Sequence, residues 1–468
     1  MKIDFDINIK YMTIFIDENI PYLPQALKSI ADVTIFNFKE LTNEWLIKSK
    51  CQFLFTRSTI KVNSDLLDGT EVKFVGTSTI GTDHIDLEYL KKRKIHFCSA
   101  PGSNANSVAE YVIFAILHWL INNNYSPKDK TIGIVGFGNI GKLVQKHVRE
   151  IFPEMKILLN DPPLKENNFN FPKNAEYCEL DELIEKSDIV TNHVPKEKNG
   201  KNPTINLFNE NNLKLLKNKS LFIHSSRGSI VDENAILNEK NKKEIMLITD
   251  VWANEPYVNR ELLSQSEIAT PHVAGHSWNG KIRGSIMMLK QFEEFSGIKV
   301  DLSEMKEYIR NSEKEFEVIL DEFDTNGDDN NDSVILNNAY QSYYQQADSM
   351  TRDKSCYQLV DSMTEKRCHS ERSDESQDSS IKETMRFFAA LQNDKESNLN
   401  LQNDKISILN SNEINKQIYE HLKNTRQIFL DNDELKSAID LSEEERATRF
   451  NSMRRDYPKR FETLDYQC

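Results

Sequence analysis

"TIGIVGFGNIGKLVQKHV", residues 131–148, opens on an apolar run, passes through three glycines and leaves as an amphipathic stretch. The run reads as a buried strand and the residues after the glycines as a helix. Gly136, Gly138 and Gly141 stand between them in the spacing G-x-G-x-x-G. Such a turn gives each glycine a task. Gly136 permits the tight bend, Gly138 lets backbone approach a pyrophosphate, and Gly141 lets helix and strand pack closely. The new helix then offers unpaired N–H groups and the positive end of its dipole to phosphates. Asp161 ends the next apolar run, "KILLND", 20 residues past Gly141. Its carboxylate suits the ribose hydroxyls of a dinucleotide and would repel a 2′-phosphate. The pattern predicts a site for NAD rather than NADP; a strand-to-helix turn without a ligand is the competing reading.

The same rhythm runs outward in both directions. Downstream come "MKILLND", "SDIVTNHVP", "SLFIHSSRG", "IMLITDVWANEP" and "EIATPHVAG", spaced as α/β units require. Upstream, "MTIFID" (12–17), "CQFLFT" (51–56) and "VKFVGTST" (72–79) read as strands between the helical "LPQALKSI" and "IDLEYLKKRK". The fold class expected is therefore α/β, with two Rossmann-like, doubly wound parallel-sheet domains. Residues 1–98 form the first, which binds substrate, and 99–276 the dinucleotide-binding second. "NANSVAEYVIFAILHWLINN" (104–123) is apolar nearly all round and predicts a helix buried between them. The helix predicted at 277–300 returns to the first domain. From about residue 321 the chain turns acidic and polar, and "LQNDK" occurs twice, at 391–395 and 401–405. The stretch 321–412 lacks apolar density and reads as a disordered, low-complexity insertion. Residues 413–468 recover helical periodicity.

The 468 residues carry a net charge of −14 and a pI near 5.4. That balance argues against a nucleic-acid or membrane-surface binder, which needs clustered Lys and Arg. No apolar run of transmembrane length is present. The six cysteines (51, 98, 178, 356, 368, 468) show no CxxC spacing, so neither a disulfide framework nor a metal site is expected. The acidic "DTNGDDNND" lacks the glycine and glutamate a calcium loop needs. A reducing, cytoplasmic setting follows.

Three candidates for chemistry stand just past predicted strand ends: Arg227 in "HSSRG", Glu255 in "DVWANEP" and His272 in "TPHVAG". Ligands bind at that edge of an open α/β sheet. A hydride transfer between a 2-hydroxy acid and NAD needs a base for the hydroxyl proton, and a histidine titrates in the right range. Glu255 would fix its tautomer and favour its protonated form. Arg227 offers a planar double donor for the acid's carboxylate. The bland alternative is Arg227 in a structural bridge to Asp250 or Glu255. His193 and His224 are rival bases without a suitably placed acid. His193 is expected to line the cofactor cleft, and His276, four residues past His272, to touch substrate.

Taken together, "GIVGFGNIG", "HSSRGSIVD", "DVWANEP" and "TPHVAG" resemble the D-2-hydroxyacid dehydrogenases over residues 12–298. "IDENIPY", "RSTIKVN", "FVGTSTIGTDHID" and "NHVPKEKNGKNPTINLF" narrow the likeness to the branch that oxidises 4-phospho-D-erythronate in vitamin B6 biosynthesis. The resemblance implies catalytic Arg227, Glu255 and His272. It implies cofactor contacts at Asn139, Ile140, Asp161, Val194, Ser225, Ser226, Arg227, Asp250 and Gly275. It implies substrate contacts at Ser58 and Thr79, with Arg57 against a phosphate. His276 stands where the family often has tyrosine. "EFEVIL" (315–320) and "FNSMRRDYPKRFE" (450–462) resemble parts of a small C-terminal dimerisation domain, here 301–320 and 413–468, interrupted by the insertion. The expected partners are a small phosphorylated 2-hydroxy acid and a second copy of the chain. Another 2-hydroxy acid, such as 3-phosphoglycerate or glyoxylate, and a non-catalytic NAD sensor are the alternatives.

Overall fold

Two parallel sheets follow one another along the chain. The computed structural model describes residues 12–303, 415–416, 418–420, 422–423, 428–455, 457 and 462. The chain divides into two compact units, 1–301 with 411–464, and 302–410 with 465–468; every element below lies in the first. The expectations for 304–320 and for the insertion 321–412 lie outside the described residues.

The first sheet is built from β1 (Thr13–Asp17), α1 (Leu23–Leu27), β2 (Asp32–Phe36), α2 (Asn43–Lys48), β3 (Phe53–Thr56), α3 (Ser64–Leu67), β4 (Phe74–Thr77), α4 (Leu87–Arg93) and β5 (His96–Ser99). Its order is β2-β1-β3-β4-β5, all parallel. Every residue of β3 and β4 is buried, as a sheet covered on both faces requires. The long α5 (Ala105–Asn122) leads to the second sheet. That sheet is built from β6 (Thr131–Val135), α6 (Asn139–Ile151), β7 (Lys156–Asn160), α7 (Pro162–Glu166), β8 (Glu176–Tyr177), α8 (Leu180–Lys186) and β9 (Ile189–Asn192). It continues through α9 (Glu210–Leu213), β10 (Leu221–His224), α10 (Glu233–Lys240), β11 (Met246–Thr249), α11 (Arg260–Gln265) and β12 (Ile268–Ala269). The order β12-β11-β10-β9-β6-β7-β8 reverses direction between β6 and β9. Reversal opens a crevice at the strands' C-terminal ends.

The strands named from apolar runs all form, shortened by a residue or more. β2, β5 and β8 were not singled out in the sequence. β2 is an edge strand with only Phe36 fully buried, and β8 has two residues, so neither leaves an apolar run.

α5 is buried from Ala105 to Leu120. It packs along α6, and its Phe114 ring stacks on Tyr419 at 5.3 Å. α12 (Trp278–Ser296) starts on the Ser277 cap, runs back under the first sheet and ends at Gly297, whose φ of 71° lies in the left-handed region. Its Phe292 meets Phe53 at 5.3 Å, and Phe295 meets Phe74 at the same distance.

The C-terminal segment returns to the second sheet. α13 (Ile428–Lys436) lies along β12, where Asn432 Oδ1 accepts from the Ala269 N–H at 2.9 Å. α14 (Glu443–Arg455) sends Phe450 and Met453 into the same core as Phe222 and Trp252. Beyond it, Glu462 is fully buried. It accepts from Arg283 at 2.7 Å, the Ser277 hydroxyl at 2.5 Å and Asn106 at 3.3 Å. One carboxylate thus ties α5 to the start of α12.

Candidate active site

The glycine turn forms as its spacing requires. Gly136 has φ 90°, and a Cβ there would meet the His193 carbonyl carbon at 2.8 Å and Val194 Cγ1 at 2.9 Å. A Cβ on Gly141 would lie 2.1 Å from the Gly136 carbonyl oxygen, so helix and turn touch backbone to backbone. A Cβ on Gly138 would meet nothing within 4 Å. That open position faces the N-terminus of α6, which carries no side-chain cap and begins at Asn139 and Ile140. Its first N–H groups are left for an anion.

Asp161 does two backbone jobs. Oδ2 accepts from the Phe137 N–H at 2.8 Å, inside the glycine turn, and Oδ1 caps α7 through the Leu164 N–H at 3.0 Å. A carboxylate has about four acceptor positions, so both oxygens keep capacity for ribose hydroxyls. Across the crevice, the buried Ser225 Oγ and His193 Nδ1 have no partner among the described residues. Ser226 Oγ donates to Asn192 Oδ1. The open cradle at Gly138, the uncapped helix and these orphaned polar atoms fit a dinucleotide along this edge. Gly136, Gly138, Gly141, Asn139, Ile140, Asp161, Val194, Ser225 and Ser226 would line it.

Arg227, Glu255 and His272 follow three adjacent strands, β10, β11 and β12. Gly228 is what lets two of their loops meet: a Cβ there would stand 1.9 Å from the Trp252 carbonyl. His272 has φ 58°, a left-handed conformation costing about 1 kcal/mol or more outside glycine. Asp250 holds it there. The His272 N–H donates to the Asp250 carbonyl at 2.7 Å. The Asp250 carboxylate takes the Val273 and Ala274 N–H groups at 2.8 and 3.1 Å and the Thr270 hydroxyl at 2.6 Å. Burial pushes that carboxyl above its ordinary value, against these donors and His272. The loop runs on to Gly275, where a Cβ would lie 2.2 Å from Asn104 Nδ2.

His272 Nδ1 lies 2.8 Å from Glu255 Oε2. An ionised carboxylate only accepts, so Nδ1 carries the hydrogen and Nε2 keeps its lone pair. Glu255 Oε1 takes the Trp252 N–H at 3.0 Å. Burial pushes the Glu255 carboxyl up, but His272, Arg454 and this N–H together hold it below the ordinary range. The two rival histidines are neutral for one reason. Burial lowers His193 to about 3 and His224 to about 4, where His224 also bonds the Gly228 carbonyl at 3.4 Å.

Arg227 bridges neither Asp250 nor Glu255. Its Nη1 donates to the Ser226 carbonyl at 2.8 Å, and its Nε faces Asp83 of the first sheet at 3.6 Å. Thr79, also from the first sheet, has its hydroxyl 2.8 Å from that of Thr77. Ser58 is exposed in the loop after β3, beside Arg57. His276 lies edge-on to Tyr457 at 5.4 Å. Burial, then Arg454, Arg57, His272 and Lys281, keep its pKa well below the ordinary value.

Three charged residues near this cleft went unremarked in the sequence: Asp83, Lys281 and Arg454. Asp83 sits inside a quoted motif, but nothing in the motif pairs it with Arg227. Lys281 and Arg454 lie on surface-like helical stretches, and only the packing of α12 and α14 brings Lys281 within the influence of His276 and Arg454 against Glu255. Among the described residues there is no group of metal ligands, and no helix is long and apolar enough to cross a membrane.

The likeness to known proteins agrees with this arrangement. Residues 118–274 match the family model for the NAD binding domain of D-isomer specific 2-hydroxyacid dehydrogenases. The erythronate-4-phosphate dehydrogenase of Wigglesworthia glossinidia brevipalpis is 41% identical over 289 residues, covering 62% of this chain and 74% of that protein. The enzyme of that name from Bacteroides thetaiotaomicron is 40% identical over 286 residues, covering 61% and 80%. Among solved structures, NAD+-bound 3-phosphoglycerate dehydrogenase of Entamoeba histolytica superposes with a TM-score of 0.51 at 24% identity, over 61% of this chain and 96% of its own. D-lactate dehydrogenase from Aquifex aeolicus, with NAD and lactic acid, gives 0.50 at 24%, over 63% and 98%. These structures share the fold. With a dinucleotide cradle, an acid–imidazole pair at the adjoining strand ends and relatives of this identity, the chain belongs to the NAD-dependent D-isomer specific 2-hydroxyacid dehydrogenases.

Proposed function

We propose that the chain oxidises 4-phospho-D-erythronate to 2-oxo-3-hydroxy-4-phosphobutanoate, a step in pyridoxal 5′-phosphate (vitamin B6) biosynthesis. The observation that carries the reading is the 2.8 Å contact between His272 Nδ1 and Glu255, which leaves Nε2 as a base. Arg227 receives the substrate carboxylate. Its present partner Asp83 is 60% exposed, so that contact is weak and easily displaced. His272 Nε2 takes the 2-hydroxyl proton as the C2–H bond breaks and C2–O becomes a carbonyl. NAD, when bound, accepts the hydride. Glu255 stabilises the imidazolium that results. Thr79, Ser58 and His276 line the substrate side, and Arg57 faces the phosphate. The working unit is a homodimer formed through the C-terminal segment, in the cytoplasm.

A panel of phosphorylated and plain 2-hydroxy acids with NAD, read by reduced-nicotinamide absorbance, tests this. Turnover is expected to be fastest with 4-phospho-erythronate. Preference for 3-phosphoglycerate or glycerate would overturn the substrate. NAD binding with no turnover of any acid would leave a sensor. Light scattering of the eluted protein tests the dimer, which a monomer mass would overturn.

A further inference from the structure

His272 sits in the middle of the loop 270–274, and α5 is bonded to both ends of that loop. At its start, the Tyr111 hydroxyl lies 2.9 Å from the Thr270 hydroxyl. At its end, the Ser107 hydroxyl donates to the Ala274 carbonyl at 2.8 Å. Ser107 and Tyr111 stand four residues apart in α5, so they share one face of the helix. Thr270 and Ala274 are likewise four apart, with His272 halfway between them. These four residues are buried, whereas the His272 side chain is 29% exposed and is the part of the loop that opens to the cleft.

The bonds at the Thr270 end have one direction. The Thr270 hydroxyl donates to the buried Asp250 carboxylate at 2.6 Å. A hydroxyl has a single hydrogen, so Thr270 accepts from Tyr111, and the chain of donors runs from Tyr111 through Thr270 to Asp250. Asp250 needs such donors: burial pushes its carboxyl up, and Thr270 with the Val273 and Ala274 N–H groups opposes that. The Thr270 backbone is fixed as well. Its N–H donates to the Thr249 carbonyl at 2.9 Å, and its carbonyl takes the Trp252 indole N–H at 3.0 Å. At the far end Ala274 donates its N–H to Asp250 at 3.1 Å while its carbonyl accepts from Ser107. A loop pinned at both ends holds a residue at φ 58° that a free loop would release.

We propose that Ser107 and Tyr111 are positioning residues for His272, clamping its loop against α5 from both ends, with Thr270 as the link to Asp250. The proposal rests on the reading of His272 as the base. Proton transfer needs His272 Nε2 within hydrogen-bond reach of the substrate hydroxyl, and a displacement of about 1 Å costs on the order of 10²-fold. Two separate supports secure that reach. Glu255 binds the ring and sets which nitrogen is free. The clamp sets where the backbone that carries the ring stands. A helix buried along its length is a rigid place to fasten it.

The test measures kcat and KM, with NAD and the fastest acid of the panel above, in Ser107→Ala, Tyr111→Phe, the two together, Thr270→Val and Thr270→Ser. Each is also combined with His272→Ala. Ser107→Ala and Tyr111→Phe should each lower kcat by about 3- to 10-fold, and Thr270→Val, which removes a bond to a charged group, by about 10- to 100-fold. KM for the acid and NAD affinity should stay near those of the wild type. Thr270→Ser keeps the hydroxyl and should restore most of the rate. On top of His272→Ala the same substitutions should cost nothing further, because no base is left to misplace. Losses of equal size in that background would overturn the proposal and leave the hydroxyls as general supports of the fold. Wild-type rates in the Ser107→Ala, Tyr111→Phe pair, beside a crippled His272→Ala, would sink the clamp alone. A wild-type rate in His272→Ala would sink the base reading, and the clamp with it. The two ends of the loop are reached by separate variants, so a folding defect in one, seen as a lowered Tm, does not silence the other.

Discussion

His272 is held by more than its partner. The Asp250 bonds fix a backbone that a non-glycine residue avoids, and Glu255 fixes the ring. His272→Ala is therefore expected to cut turnover by about 10²-fold or more while NAD affinity stays near that of the wild type, measured by steady-state rates and fluorescence titration. Activity retained in that variant would move the base elsewhere. Lys281 allows a pH test. Burial, then Arg57, lowers it to about 8, below the ordinary lysine range. Between about pH 8 and that range the folded chain holds fewer protons than the unfolded one, so this group's contribution to stability rises with pH. Below pH 8 the partly buried ammonium costs stability, and an anion held beside it would offset that cost. Low-millimolar sulfate, compared with chloride at matched ionic strength, should raise Tm more at pH 7 than at pH 9.5. Equal shifts, or the same difference in Lys281→Met, would show that Lys281 is not the group that titrates. Arg227, Glu255 and His272 were legible in the sequence because each follows an apolar run and each chemical task admits few residue types. Lys281 and Arg454 were not, since a cation on a polar helical stretch looks like any solvated face. The field that marks them exists only once three distant elements meet.

At the scale of elements, the turn between β6 and α6 separates packing from binding within six residues. A Cβ at Gly141 would drive into the Gly136 carbonyl, whereas one at Gly138 would enter empty space at the helix N-terminus. Gly141→Ala should cost about 1–3 kcal/mol of stability or more, by denaturant unfolding. Gly138→Ala should unfold like the wild type yet bind NAD about 10-fold or more weakly, because its methyl occupies the cradle. Unchanged NAD affinity in Gly138→Ala would place the pyrophosphate elsewhere. This unit was the most legible part of the sequence, since glycine spacing, strand and helix all point one way. β2 was the least legible strand: its "DVTIF" is exposed at the sheet edge, with Ile35 46% exposed, and an edge strand needs no apolar run.

At the scale of the whole molecule, the C-terminal helices are part of the dinucleotide-side core. Phe450 is fully buried there, and Phe450→Ala should lower stability by about 3–5 kcal/mol. The same variant should weaken turnover, since α14 also holds Arg454 against Glu255; calorimetry and steady-state rates check the two effects separately. The helical periodicity of 413–468 foretold these helices, but no local pattern says which core a helix joins. Glu462 extends the point to kinetics. Its bond to Asn106 spans 356 residues, and those to Ser277 and Arg283 span 185 and 179. The sheets can collapse from nearer neighbours, while this carboxylate must find its pocket across the longest loops in the described chain, and contacts so remote in sequence form slowly. Refolding should thus regain NAD binding before Glu462 joins α5 to the start of α12, so that a newly made chain holds its coenzyme for a time before its two longest helices are fastened together.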